Sequence, residues 1–221
     1  RSFADDRLSF GVAAEMPAVS GTYGEEFEPI PQRVPDIPAY IQYAWGPERS
    51  SHLRASVVLR DMYLHNLRTA ENTSLLGWGV QLSGTIRCCR AFRMFMNGVY
   101  GKGITPYIQD LTGAGLDFTP DPRNAAYIQT MPMWGWQAAG QFSLTRRLTL
   151  SGGYSTVRIQ RSHGFYADDE YKRGQYIFGN LFYALTPRCT LAAEYLYGSR
   201  RNMSDAENHA NRVNVMLQYT F

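Results

Sequence analysis

The sequence predicts an all-β fold, an antiparallel transmembrane β-barrel with about ten visible strands, and three observations lead there. Apolar residues recur at every second position in stretch after stretch, the period of a strand with one apolar face. These stretches run about 9 to 12 residues, the length a tilted strand needs to cross a bilayer. The links between them alternate between short and long, as they do when strands run up and down between two differently elaborated ends.

The elements follow in chain order. RLSFGVAAEM sends Leu8, Phe10, Val12, Ala14 and Met16 to one face and Ser9, Gly11, Ala13 and Glu15 to the other. AYIQYAW is a weaker strand of uncertain parity. HLRASVVLR divides Leu53, Ala55, Val57 and Leu59 from Arg54, Ser56, Val58 and Arg60. GWGVQLSGTIR sets Trp78, Val80, Leu82 and Ile86 against Gly77, Gly79, Gln81, Ser83, Thr85 and Arg87. FRMFMNGVYG is again of mixed parity. In GWQAAGQFSLT, Trp134, Trp136, Ala138, Phe142 and Leu144 oppose Gly135, Gln137, Ala139, Gln141, Ser143 and Thr145. Leu148, Leu150, Gly152 and Tyr154 alternate with Thr149, Ser151, Gly153 and Ser155. YIFGNLFYAL carries bulky rings on both faces. Leu191, Ala193, Tyr195 and Tyr197 alternate with Ala192, Glu194 and Leu196, and the chain ends VNVMLQYTF with Val213, Val215, Leu217, Tyr219 and Phe221 on one parity.

GPERSS, CCRA, LTRR and TPRC are the short links; the long ones run about 17–36, 64–74, 104–131, 159–172 and 199–209. With the C-terminus on the periplasmic side, all short links fall there and all long loops outside. The apolar parity then faces lipid and the polar parity, with its Gln, Ser, Thr, Asn, Glu and Arg, faces the bore. A soluble β-sandwich also alternates, but it seldom keeps strict short and long turns over so many strands.

Composition narrows the function. Aromatic residues make up 14% of the chain, with 15 Tyr, and no apolar run approaches the 18 or so residues of a membrane helix. The first residues, RSFADDRLSF, lack the basic start and apolar stretch of a secretory signal, so either a signal has been removed or the chain is a fragment. Net charge is +3, and 20 of the 22 basic residues are Arg, only Lys102 and Lys172 being Lys. Coding bias is the bland explanation for that excess; a use for fixed, planar cations is the other. No basic block marks a nucleic-acid partner. Cys88, Cys89 and Cys189 are too few for a disulfide framework, and no histidine stands at metal-ligand spacing from them, so neither metal nor cofactor is expected. Ser162, His163 and Asp168 share one loop, but nearness in sequence does not make a catalytic triad, and GKGIT lacks the spacing of a phosphate loop. No enzymatic activity is expected.

Several stretches go beyond pattern: GWGVQLSG at 77–84, YGKGITPYIQDL at 100–111, YKRGQY at 171–176, LTPRCTLAAEYLYGSRRN at 185–202 and ANRVNVMLQYTF at 210–221. From about residue 37 to its end the chain resembles the DcaP-like trimeric outer-membrane porins. The resemblance implies a sixteen-stranded homotrimeric water-filled channel in a Gram-negative outer membrane that favours anionic solutes, dicarboxylates among them. It also implies that Phe221, ending the last strand, is the signal read by the barrel-assembly machinery, and that this strand closes the barrel against the first. Residues 1–221 are expected to form a single barrel domain. A sixteen-stranded barrel needs on the order of 350 residues at the same spacing, so N-terminal strands are expected to be missing.

Passive transport needs only a wetted bore with charge arranged in it. Parity points Arg54, Arg60, Arg87, Arg93 and Arg212 inward, with Glu15 and Glu194 as possible partners. Exposing a guanidinium to lipid at mid-depth would cost roughly 2–4 kcal/mol, which favours the inward placement. A guanidinium suits carboxylates because it binds them as a two-pronged fork. The competing reading is that these arginines pair with acids of the bore and only stiffen the barrel. The loop 104–131, with Tyr107, Gln109 and Asp110, would fold into the bore as a constriction, or else cap the barrel or build trimer contacts. A structural or adhesive barrel with a plugged bore is the alternative to a channel.

Overall fold

The structure is a computed structural model that describes residues 2–3, 7–121, 123–160 and 166–221. Ser162 and His163 lie outside the described residues. Strands dominate: β1 (Ser2–Phe3), β2 (Leu8–Val12), β3 (Phe27–Pro29), β4 (Ile37–Trp45), β5 (Ser51–Asn66), β6 (Glu71–Arg87), β7 (Phe92–Lys102), β8 (Phe118–Asp121), β9 (Asn124–Thr130), β10 (Pro132–Ser143), β11 (Leu148–Ile159), β12 (Tyr171–Thr186), β13 (Cys189–Asn202) and β14 (Glu207–Tyr219). All pairings are antiparallel, and the main sheet runs β1-β2-β4-β5-β6-β7-β10-β11-β12-β13-β14. β3 adds to the end of β5, and β8 and β9 form a separate hairpin. Each of the strands read from the alternation is present.

One face of this meander is apolar along its middle and turns polar toward the long-loop end, where Asp61, Ser74 and Gln175 share its parity. Ile41, Val57, Leu59, Val80, Leu82, Trp136, Ile177, Leu181, Val213 and Val215 are all exposed on it. A contiguous exposed surface of this size is far beyond what water-soluble monomers carry, and it fits contact with lipid chains. The opposite face carries Gln42, Arg54, Ser83, Asn97, Gln137 and Ser155 in one row across six strands, fixed by the pairings Gln42↔Arg54, Arg54↔Ser83, Ser83↔Asn97, Asn97↔Gln137 and Gln137↔Ser155. Because side chains alternate strictly along a strand, this register settles the parity that rings on both faces left open in β4, β7 and β12.

Among the described residues β14 pairs with β13 alone, so the sheet is open between β14 and the β1–β2 edge, consistent with the expected partial barrel. Two expectations are corrected. The link expected at 64–74 shrinks to the four residues 67–70, because β5 and β6 stay paired out to Asn66↔Glu71. There the Asn66 side chain accepts the backbone N–H groups of Arg68 and Thr69, satisfying the turn locally. Likewise β13 and β14 continue to Arg201↔Glu207, shortening the last long loop.

The second correction concerns the inner face, which is polar only over part of its length. Toward the long-loop end it carries Val58, Met62, Leu64, Met133 and Ile159, all buried. Two clusters cover them. Ile104, Ile108, Leu111 and Leu116 pack on Val58, Met133 and Ile159, while Phe27 and Phe118 pack on Met62 and Leu64. The loops 17–36 and 103–131 therefore fold onto the concave face and bury a core there. Burial of an aliphatic side chain contributes about 1.5–3 kcal/mol, enough in sum to hold these loops in place.

Glycine spacing makes room for them. Gly79 and Gly101 face each other across β6 and β7, and a Cβ on either would press on the Ile104 side chain, at 2.9 and 2.7 Å. At Gly103 the backbone turns with φ +63°, which carries the chain from β7 into the concavity. The glycines of GKGIT thus serve clearance for an inserted loop.

Candidate functional site: the concave face

Arg60 is 1% exposed and sits where both loops meet the sheet. Its Nε donates to Asp36 Oδ2 at 2.9 Å, Nη1 to Asp117 Oδ1 at 3.0 Å and to the Gly103 carbonyl, and Nη2 to the Ala18 carbonyl at 2.7 Å. One guanidinium thus ties β5 to the loop 17–36 and to the loop 103–131. Asp117 is itself fully committed: its Oδ1 accepts the Thr105 N–H at 2.9 Å and its Oδ2 the Ser20 N–H at 3.2 Å. Arg60 points inward as its parity demands, yet it is enclosed and paired, which is the stiffening role for this residue.

Beside this knot Tyr107, in a short 3-10 turn (Thr105–Tyr107), donates its hydroxyl toward Asp36 Oδ2 and Glu15 Oε2, both at 3.1 Å. Burial, followed by the negative charge of Asp36, pushes the Tyr107 phenol well above its ordinary range, so it stays a hydrogen-bond donor. Of the other two residues expected on this loop, Gln109 is exposed and Asp110 lines a polar hollow with Glu170 and Arg200 at the outer end. Burial raises the carboxyl of Asp110, and that of Glu170 as well.

Arg54, six residues before Arg60 on the same face, is differently placed. Its guanidinium lies over the Tyr40 ring, 3.6 Å from the centroid, and its Nε is buried without a partner. It borders a cavity of ≈ 420 Å³ that also reaches Glu15, Ser56, Gln81 and Tyr107. Arg87 and Arg93 face each other directly across β6 and β7 near the short-turn end and share a smaller hollow with Cys89 and Arg90. Opposed like charges on adjacent strands repel, and among the described residues neither is in an ion pair, so the two concentrate positive charge on the concave face. On the last strands, Arg212 donates to Asn214, and Asn214 donates to Glu194.

The expected pairing of these arginines with Glu15 and Glu194 is not formed: among the described residues Arg60 takes Asp36 and Asp117, and Glu15 takes Tyr107. Asp36 and Asp117 were missed. Ile104, Ile108, Leu111 and Leu116 are too apolar for a solvated connection and signal that this loop packs, but nothing in the sequence marks Asp36 or Asp117 as partners of Arg60. Phe221 lies at the fully exposed end of the sheet, its ring meeting Tyr219 edge-on.

No protein-family model matches the chain and no curated protein matches it. Among solved structures, the outer membrane channel DcaP of Acinetobacter baumannii is similar over 97% of this chain and 59% of its own, with a TM-score of 0.78 at 18% sequence identity. The NanC porin matches at 11% identity over 97% of this chain and 94% of that one, with a TM-score of 0.48. The outer membrane protease OmpT of Escherichia coli follows at 9% identity, over 85% and 84%, with a TM-score of 0.29. The chain shares the fold of the DcaP channel and spans about three fifths of its length, so the expected likeness holds at the level of fold.

Proposed function

We propose that this chain builds the wall of an outer-membrane porin, a passive diffusion channel for small hydrophilic solutes that prefers anions, carboxylates in particular. The observation that carries the reading is the division of one antiparallel meander into an apolar convex face and a polar concave face, on a fold shared with a membrane channel. Arg54, Arg87, Arg93 and Arg212 supply the anion preference from the concave side, whereas Arg60 holds the loops. The loop 103–131 with Tyr107 narrows the bore. Closure comes from further strands at the two open edges, within a homotrimer in a bacterial outer membrane surrounded by its lipids, and Phe221 guides insertion by the assembly machinery.

The buried loop core supports a second reading, a plugged, non-conducting barrel. Planar-bilayer recording separates the two: the channel reading expects stepwise currents with a reversal potential on the anion-selective side under a salt gradient, and the plugged reading expects folded protein that leaves the membrane silent.

A further inference from the structure

The cavity beside Arg54 has a polarity that simple anion preference does not explain. At one end is the Arg54 guanidinium. Stacking on Tyr40 uses the face of that group and leaves its N–H donors, which all lie in its plane, free at the edge. Among the described residues it forms no ion pair, and its Nε has no acceptor. At the other end is the Glu15 carboxylate, exposed, with one oxygen on the Tyr107 hydroxyl. The register Ser9↔Gln42↔Arg54 puts Glu15 six residues along the strands from the Arg54 row, roughly 20 Å between backbones, and both side chains reach into the same space. Between them the accessible apolar wall is formed by Pro38 and Val99, backed by the buried Val58.

We infer that this cavity is a binding site for an elongated zwitterion: a solute with a carboxylate at one end, an ammonium or guanidinium at the other, and an apolar stem between. The carboxylate meets Arg54, the cation meets Glu15, and the stem lies along Pro38 and Val99. Two fixed opposite charges that do not neutralise each other repel a simple dianion at the Glu15 end and favour a solute bearing both signs. The inference rests on the concave face being the wall of a solute channel, and it narrows the solute class for this part of the wall.

The test is calorimetric titration of the detergent-solubilised protein with two probes of equal length, 6-aminohexanoate and hexanoate. The wild-type protein should bind the amino acid more tightly. Replacing Glu15→Gln keeps an acceptor for Tyr107 and removes the charge; it should weaken 6-aminohexanoate about tenfold and leave hexanoate unchanged. Arg54→Gln should weaken both probes, and Glu48→Gln, in the remote β4–β5 turn, neither. Equal binding of the two probes to wild type, or a Glu15→Gln effect that is absent or the same for both, would overturn the inference. Because binding is read in micelles, silent bilayers with discrimination intact would count against the channel and not against the site, while conducting protein without discrimination would do the reverse.

Discussion

Arg54 and Arg60 stand on one face of one strand, and their surroundings give them opposite roles. Arg60 is locked by two carboxylates and two carbonyls. Removing one partner of such a buried set leaves the others uncompensated, which is far more damaging than losing a surface pair. Arg60→Ala should therefore destabilise the protein by about 3–5 kcal/mol and expose the loops 17–36 and 103–131 to protease. Urea unfolding in micelles and limited proteolysis check this; an unchanged midpoint with protected loops would contradict the knot. Neither partner of Arg60 was legible in the sequence, because Asp36 and Asp117 lie 24 and 57 residues away and only the folded loops bring them together. Glycine gives a sharper residue-scale contrast on β7. A Cβ at Gly101 would stand 2.3 Å from the Trp78 carbonyl oxygen, whereas Gly98 has open space. Gly101→Ala should cost about 1–3 kcal/mol by overpacking and Gly98→Ala close to nothing, as read from the same unfolding curves.

At the scale of the element, strands were readable and loops were not. Alternation is a local signal, so the strand cores emerged wherever the convex parity was apolar, from Leu53 to Leu59 and from Trp134 to Leu144. The signal fades in β5 beyond Arg60, where Met62 and Leu64 are apolar on the inner face and the strand continues under an inserted loop. Adjacent residues on β10 test the assignment of faces. Gln137 faces Asn97 and Ser155 on the concave side, and Ala138 faces Met96 and Tyr154 on the convex side. Ala138→Lys should reduce stability in vesicles by about 2–4 kcal/mol, while Gln137→Lys is tolerated. Loop packing carries a pH dependence. Burial raises the Asp110 carboxyl, so the folded loop favours the protonated form; its contribution is full below the ordinary carboxylate range and is lost as pH rises through the raised value. Asp110→Asn should accordingly slow proteolysis of this loop at pH 7 and make no difference at pH 3.

The whole molecule is a curved wall with an apolar outside, a charged inside and a core of loops at one end. Among the described residues its two edges, β14 and β1–β2, are unpaired on one side, and the channel account places further strands there because lipid would leave such backbone unsatisfied. The fold class followed from period-two patterning together with strand length and the alternation of short and long links, and the inward direction of the arginines from the patterning itself. What the inward arginines do required the distances, and those separate Arg60 from Arg54, Arg87 and Arg93. The most direct test of the channel account is single-channel recording under a salt gradient, comparing the wild-type protein with Arg54→Ala/Arg87→Ala/Arg93→Ala. The account predicts stepwise currents with anion preference in the first and a loss of that preference, with the steps retained, in the second. Folded wild-type protein that passes no current, or a triple variant that keeps the wild-type reversal potential, would contradict it.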